Sequence, residues 1–183
     1  MIRGIRLTVA VLVLAAIAYG QHTEAVDAPV GEQTLRTFDW ENTQLHVYSH
    51  STQPTTNRLL TVEQPAITSS NYAIVGRIRY EGVDDLPGVE GDAYLEMWSY
   101  FPDGSFYFSR TLADTGPMAK ITGQSDWREF ILPFNNKPGH PPPTKLEINL
   151  ILPARGAVYF EPMKLVEYSP RITADTPSLP GNA

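Results

Sequence analysis

Six side chains in two stretches of this 183-residue sequence have the makings of a binding surface. They are Arg77 and Arg79 in NYAIVGRIRYE, and Glu96, Trp98, Tyr100 and Arg110 in AYLEMWSYFPDGSFYFSRTL. A flat aromatic ring offers an apolar face to the C–H side of a sugar, and neighbouring arginine or glutamate supplies charge-assisted hydrogen bonds to hydroxyls. A turn at 102–104 brings the second group together. Pro102 presets φ for the first corner, Asp103 suits the second, and Gly104 accepts the left-handed position that follows. With Phe101 opposite Ser105, every further pair of residue numbers sums to 206. Tyr100 then faces Phe106, Trp98 faces Phe108, Glu96 faces Arg110, and Tyr94 faces Leu112. Leu95, Met97, Ser99 and Phe101 occupy the opposite face with Thr111, Ser109, Tyr107 and Ser105.

The first of these faces carries a Glu–Arg pair and the second carries no charge. Burying an ion pair costs several kcal/mol per ion before mutual attraction returns some of it, so the uncharged face belongs to the core. Residues 71–81 split in the same way, with Tyr72, Ile74, Ile78 and Tyr80 on one side and Arg77, Arg79 and Glu81 on the other. On this reading one outer sheet face presents Arg77, Arg79, Glu96, Trp98, Tyr100, Phe108 and Arg110 together. The alternative turns that face inward around a satisfied Glu96–Arg110 bridge.

Other constellations are weaker. Asp84, Asp85, Glu90 and Asp92 share a glycine-rich loop, and hard oxygen ligands there suit calcium, but the spacing fits no EF-hand; a solvated acidic loop is the simpler reading. His46 and His50 lie in an alternating, strand-like segment that sets them about 13 Å apart, too far to share an ion, so no metal or cofactor is expected. The chain has no G-x-S-x-G elbow, H-E-x-x-H, phosphate-cradling glycine loop or dinucleotide fingerprint, and no enzyme is expected. A hydrolytic carboxylate pair has no sequence signature, because its separation is a three-dimensional quantity. PGHPPP at 138–143 reads as a stiff loop between strands, the other reading being an extended ligand for an aromatic groove.

The elements that must position these residues follow from composition. The 16 prolines are spread so widely that no long helix fits beyond residue 20. Zero cysteine removes disulfides, thiolate zinc sites and cysteine nucleophiles. A net charge of −6 with scattered cations argues against nucleic acid as a partner. Arg3 and Arg6 precede an uncharged run from Leu7 to Tyr19, which as a helix spans about 20 Å against a hydrocarbon core of about 30 Å. Small residues then occupy cleavage positions before Gln21. This is the layout of a secretory signal helix over 1–20, with an uncleaved anchor as the alternative and no stable membrane span expected after cleavage. Export places the mature chain in the periplasm, at the cell surface or outside the cell. Cleavage removes two cations and no acids, leaving 12 − 20 = −8.

A mobile lead-in is expected over 21–34, a β-sandwich domain over 35–168 and a disordered proline-rich tail over 169–183. Within the domain, strands are expected at 45–49, 71–81, 93–101, 105–112, 127–133, 145–152 and 157–168, the last interrupted at Pro162. Many short strands between turns predict an all-β, antiparallel β-sandwich of jelly-roll type.

The blocks YLEMWSYFPDG…YFSRTL (94–112), GQSDWREFILPF (123–134) and LEINLILPARGAVYFEPMKL (146–165) add a resemblance. In strand order, the W-R-x-F strand and the closing hairpin, residues 65–168 resemble galactose-binding-like jelly-roll domains. That architecture is shared by many carbohydrate-binding modules and by uncharacterised exported bacterial proteins. The resemblance implies a two-sheet sandwich and glycan or surface binding, but carries over no binding-residue motif. The expectation is an exported, non-catalytic module, with polysaccharide or an envelope protein as the alternative partner classes.

Overall fold

A computed structural model describes residues 31–41, 43–83, 92–137 and 139–169. Ten strands make up its regular structure: β1 Gly31–Phe38, β2 Leu45–Ser49, β3 Thr55–Glu63, β4 Asn71–Val83, β5 Tyr94–Tyr100, β6 Phe106–Arg110, β7 Gly123–Asn135, β8 Lys145–Leu152, β9 Gly156–Phe160 and β10 Met163–Ser169. No helix occurs among the described residues, and none there is long and apolar enough to cross a membrane. The expected signal segment, residues 21–30 of the expected lead-in, the tail from residue 170 and most of the acidic loop lie outside the described residues.

Strand pairing follows one rule. β5 pairs with β6, β4 with β7, β3 with β8, β2 with β9 and β1 with β10, all antiparallel. The domain is therefore one long hairpin, closed at 102–104, whose nested arms are rolled into two sheets. This is the jelly-roll form of the antiparallel sandwich. Rolling adds lateral pairs: β4 also meets β10 and β9, and β5 also meets β8. The larger sheet runs β1-β10-β4-β9-β2 with β7 along the free side of β4, and the smaller runs β3-β8-β5-β6.

Alternation along each strand supplies the core. Tyr72, Ile74 and Ile78 of β4, with Leu132 and Phe160 from its neighbours, form one cluster with Leu95 and Met97 of β5 and Leu146, Ile148 and Leu150 of β8. One polar contact crosses this layer: the Tyr72 hydroxyl donates to Ser99 Oγ at 2.9 Å, both groups buried. Burial raises the Tyr72 pKa far more than that contact lowers it. The uncharged faces thus point inward, as their composition predicts.

Backbones approach closely where β9 passes the end of β4. A Cβ on Gly156 would sit 2.8 Å from Val83 Cγ2 and 3.1 Å from Val83 Cα. Gly156→Ala is expected to cost about 2 kcal/mol, as overpacking against backbone does, measured as a lowered urea midpoint at unchanged slope.

Several boundaries differ from expectation: β3 is an additional strand, β7 starts at Gly123 and not at 127, and β4 runs on to Val83. β1 takes in Gly31 to Thr34, which the sequence places in the lead-in. Those four residues are exposed, so their pairing with β10 leaves no apolar periodicity to read. The hairpin ladder stops at Glu96–Arg110 and does not reach Tyr94–Leu112. There Thr111 N donates to Leu95 O at 3.0 Å, while Leu95 N donates to Thr111 Oγ1 at 2.9 Å, and Leu112 turns into solvent.

Candidate functional site

The turn forms as its residues dictate. Gly104 has φ 83°, its N–H donates to Phe101 O at 3.1 Å, and Phe101 N donates to Ser105 O at 2.9 Å. Glu96↔Arg110, Trp98↔Phe108 and Tyr100↔Phe106 are paired as the 206 rule requires. Glu96, Trp98, Tyr100 and Arg110 therefore share the outer face of the smaller sheet. Arg77 and Arg79 do not join them. They stand on the outer face of the larger sheet, because β4 pairs with β7, β9 and β10 and with no strand of the hairpin. The single charged aromatic face expected from the sequence is two faces on opposite sides of the sandwich.

On the smaller sheet Glu96 is the hub. It faces outward yet is only 6% exposed. Its Oε1 accepts from Trp98 Nε1 at 2.8 Å and Asn149 Nδ2 at 3.1 Å, and its Oε2 accepts from Arg110 Nε at 3.2 Å. The Arg110 guanidinium lies 4.4 Å from the Phe108 ring centre and 5.0 Å from that of Tyr94. A second hub, Glu147, accepts from the Tyr100 hydroxyl at 2.9 Å and Lys145 Nζ at 3.0 Å, and pairs with Arg58 at 2.9 Å. Arg58 Nε also donates to Asn149 Oδ1 at 2.9 Å, which joins the two hubs into one belt across all four strands.

The belt's electrostatics are settled internally. Burial pushes the Glu147 carboxyl up, but Lys145, Tyr100 and Arg58 outweigh it and hold the group below the usual range. Tyr100 moves up, first through burial and then through the carboxylate it donates to. Besides the half-exposed Arg58 side chain, what the face leaves most open is apolar. Phe106 is 57% and Phe108 50% exposed, and Trp98 lies 5.7 Å and 5.0 Å from them, ring centre to ring centre. Three rings thus form a ridge beside Arg110 along β5 and the edge strand β6.

The belt adds Arg58, Lys145, Glu147 and Asn149 to the residues the sequence singles out. A partial signal exists for three of them: KLEINLIL alternates, with Lys145, Glu147 and Asn149 between fully buried leucines and isoleucine. Arg58 has none, because the bulge between Arg58 and Leu60 reverses the alternation of β3 and the residues before it are all polar.

On the larger sheet Arg79 lies 4.2 Å from the Tyr159 ring centre and 5.8 Å from that of Trp127, and forms an ion pair with Glu81 at 2.8 Å. Arg77 lies 5.9 Å from Trp127 and pairs with Glu161 at 3.2 Å. His46 stacks on Tyr159 with ring centres 4.3 Å apart and planes at 5°, while His50 meets Tyr48 edge-on. The two histidines thus pack against tyrosines, and among the described residues no group of carboxylates or histidines is arranged to hold a metal. The proline-rich loop is a packed connection: His140 lies edge-on to Phe101 at 4.6 Å, and Asn136 Nδ2 donates to Pro141 O at 3.1 Å.

Fold and faces together define an antiparallel β-sandwich with an open, ring-bearing surface on each sheet. No protein-family model matches the chain, and no curated protein matches it significantly. Among solved structures it is similar to that of infectious bursal disease virus Gt strain, at 16% identity over 79% of this chain, with a TM-score of 0.37. It spans 37% of that viral chain. It is also similar to the CBM22-1 xylan-binding domain of Paenibacillus barcinonensis Xyn10C, at 10% identity over 79% of this chain and 100% of that one, with a TM-score of 0.38.

Proposed function

We propose that this chain is an exported, non-catalytic module that binds carbohydrate through the outer face of its smaller sheet. The observation that carries this reading is the open ridge of Trp98, Phe106 and Phe108 flanked by Arg110. Ring faces already held by neighbours lose little freedom on meeting the apolar side of a sugar, and the adjacent guanidinium can donate to hydroxyls. Glu96 and Glu147 are both committed to structural partners, which favours binding over acid–base chemistry at this face. Export rests on the basic start and short apolar run of residues 1–20.

Phe106→Ala and Phe108→Ala test this reading, since both rings are half exposed and neither is a core residue. On a glycan that quenches or enhances tryptophan fluorescence, each is expected to raise Kd at least about tenfold, or 1.4 kcal/mol, with Tm unchanged. A broad glycan array that stays silent, or unchanged affinity in both variants, sinks it. A specific feature favours docking of an envelope protein as the second reading. Among the described residues β6 pairs with β5 alone, and the hairpin register turns the backbone groups of Phe106 and Phe108 to its outer edge. A silent array, together with an envelope protein that still binds Phe108→Ala but not Phe108→Pro, would select that reading.

A further inference from the structure

We infer that the outer face of the larger sheet is a second carbohydrate face, suited to a neutral linear polysaccharide, and that the domain bridges two chains. This rests on the reading of the smaller sheet as a glycan face and adds a site to it.

Shape is the first support. Three depressions follow one another along β4. One of about 600 Å³ reaches Val75 and Arg77, one of about 420 Å³ reaches Arg79 and Glu81, and one of about 340 Å³ reaches Glu81 and Gly82. At the rise of an extended strand, Val75 to Gly82 covers about 23 Å, a track that suits an extended chain better than a compact ligand. Rings cross the track at its middle. Trp127, Tyr159 and His46 stand on β7, β9 and β2 around Arg79, and Tyr48 beside them is more than half exposed.

Charge identifies the class of chain. The depressions are lined by four cations, Arg77, Arg79, Arg155 and Lys164. Against them stand five carboxylates, those of Glu32, Glu81, Asp126, Glu129 and Glu161. An anionic polymer would meet more carboxylates than cations, and a cationic one would meet arginines already in ion pairs. A hydroxyl-rich neutral chain can donate to the carboxylates and accept from the guanidiniums without displacing either. The two ring-bearing faces back onto a shared core about 10 Å thick and point in opposite directions, so one straight chain cannot lie along both.

The test uses the full-length protein with soluble xylan, mixed-linkage β-glucan and galactomannan. It combines retardation in polysaccharide-containing gels, stoichiometry on the matching oligosaccharides and light scattering from the mixtures. Wild type should be retarded, bind two oligosaccharides and scatter as chains are bridged. Trp127→Ala, and independently the exposed-site variant Tyr48→Ala, should remain retarded with one oligosaccharide bound and no rise in scattering. If wild type binds a single oligosaccharide and both variants match it while Phe108→Ala abolishes retardation, the second face falls and the first stands. If Trp127→Ala and Tyr48→Ala abolish all retardation, binding belongs to the larger sheet alone, which overturns bridging and the smaller-sheet reading together. No retardation of any form on the three polysaccharides overturns both.

Discussion

Alanine at Glu96 is expected to destabilise the domain by about 3 kcal/mol, and glutamine by about half as much. The ion pair with Arg110 is a small part of this, because that guanidinium is one-third exposed and solvent screens it. The larger part is what the carboxylate leaves behind. Asn149 Nδ2, Trp98 Nε1 and Arg110 Nε all donate to Glu96, and Asn149 is itself buried. Without an acceptor, each buried donor costs on the order of 1–3 kcal/mol, and a small cavity opens under the rings. Glutamine keeps one oxygen and the packing but sets an amide against a guanidinium. Urea unfolding of wild type, Glu96→Ala, Glu96→Gln and Arg110→Ala measures the set. The expected order places Glu96→Ala lowest and Arg110→Ala within about 1 kcal/mol of wild type. A Glu96→Ala cost below 1 kcal/mol would mean that the belt does not hold the aromatic ridge. The ridge should also lose order in that variant, seen as a broadened tryptophan emission before unfolding.

How much of this was legible in the sequence depends on distance along the chain. The domain is a nested hairpin, and only its innermost pair is local. Trp98 and Phe108 are joined through the five-residue connection 101–105 with its own turn chemistry, so their register could be read from Pro102, Asp103 and Gly104. β4 has partners at 123–135, 157–160 and 164–168. No turn links Arg77 to any of them, and alternation fixes which side of a strand is charged without fixing the sheet it joins. Arg77 and Arg79 therefore stand on an outer face, as their charge predicts, but on the sheet opposite the hairpin. β3 left no trace for a related reason. At the edge of the smaller sheet, its burial alternates on each side of the Arg58–Leu60 bulge but reverses phase there, and residues 55–58 carry no apolar side chain to mark the covered side. Glu147 and Asn149 were visible as polar positions within β8, but their link to Glu96 required knowing that β8 lies beside β5, some fifty residues away in sequence.

A second buried carboxylate makes stability depend on pH. Glu167 lies two residues beyond the core residue Leu165 on β10, so alternation aims it inward, at the rim of the core, and it is 4% exposed. The loop between β3 and β4 closes over it. Its Oε2 accepts from Thr68 N at 2.8 Å and Ser69 N at 2.9 Å, and its Oε1 accepts from Thr68 Oγ1 at 3.0 Å. The same loop carries Gln64 and Ala66 at φ 47° and 56°, conformations that cost a non-glycine residue about 1 kcal/mol or more each and need anchoring. Burial alone would raise the Glu167 pKa, but the two backbone N–H groups and the Thr68 hydroxyl outweigh it and hold the carboxyl below the usual glutamate range. A carboxyl whose folded pKa is depressed contributes stability that is fully present above its unfolded pKa, and that contribution is lost as pH falls through the folded value. Wild type should therefore lose stability as pH drops below about 4.5, and Glu167→Gln should show a shallower slope there because its side chain does not titrate. At neutral pH, Glu167→Ala leaves two backbone donors without their acceptor and is expected to cost about 3 kcal/mol, read as a urea midpoint shift. Equal acid slopes in wild type and Glu167→Gln would show that other carboxylates, Glu147 first among them, carry the acid sensitivity instead.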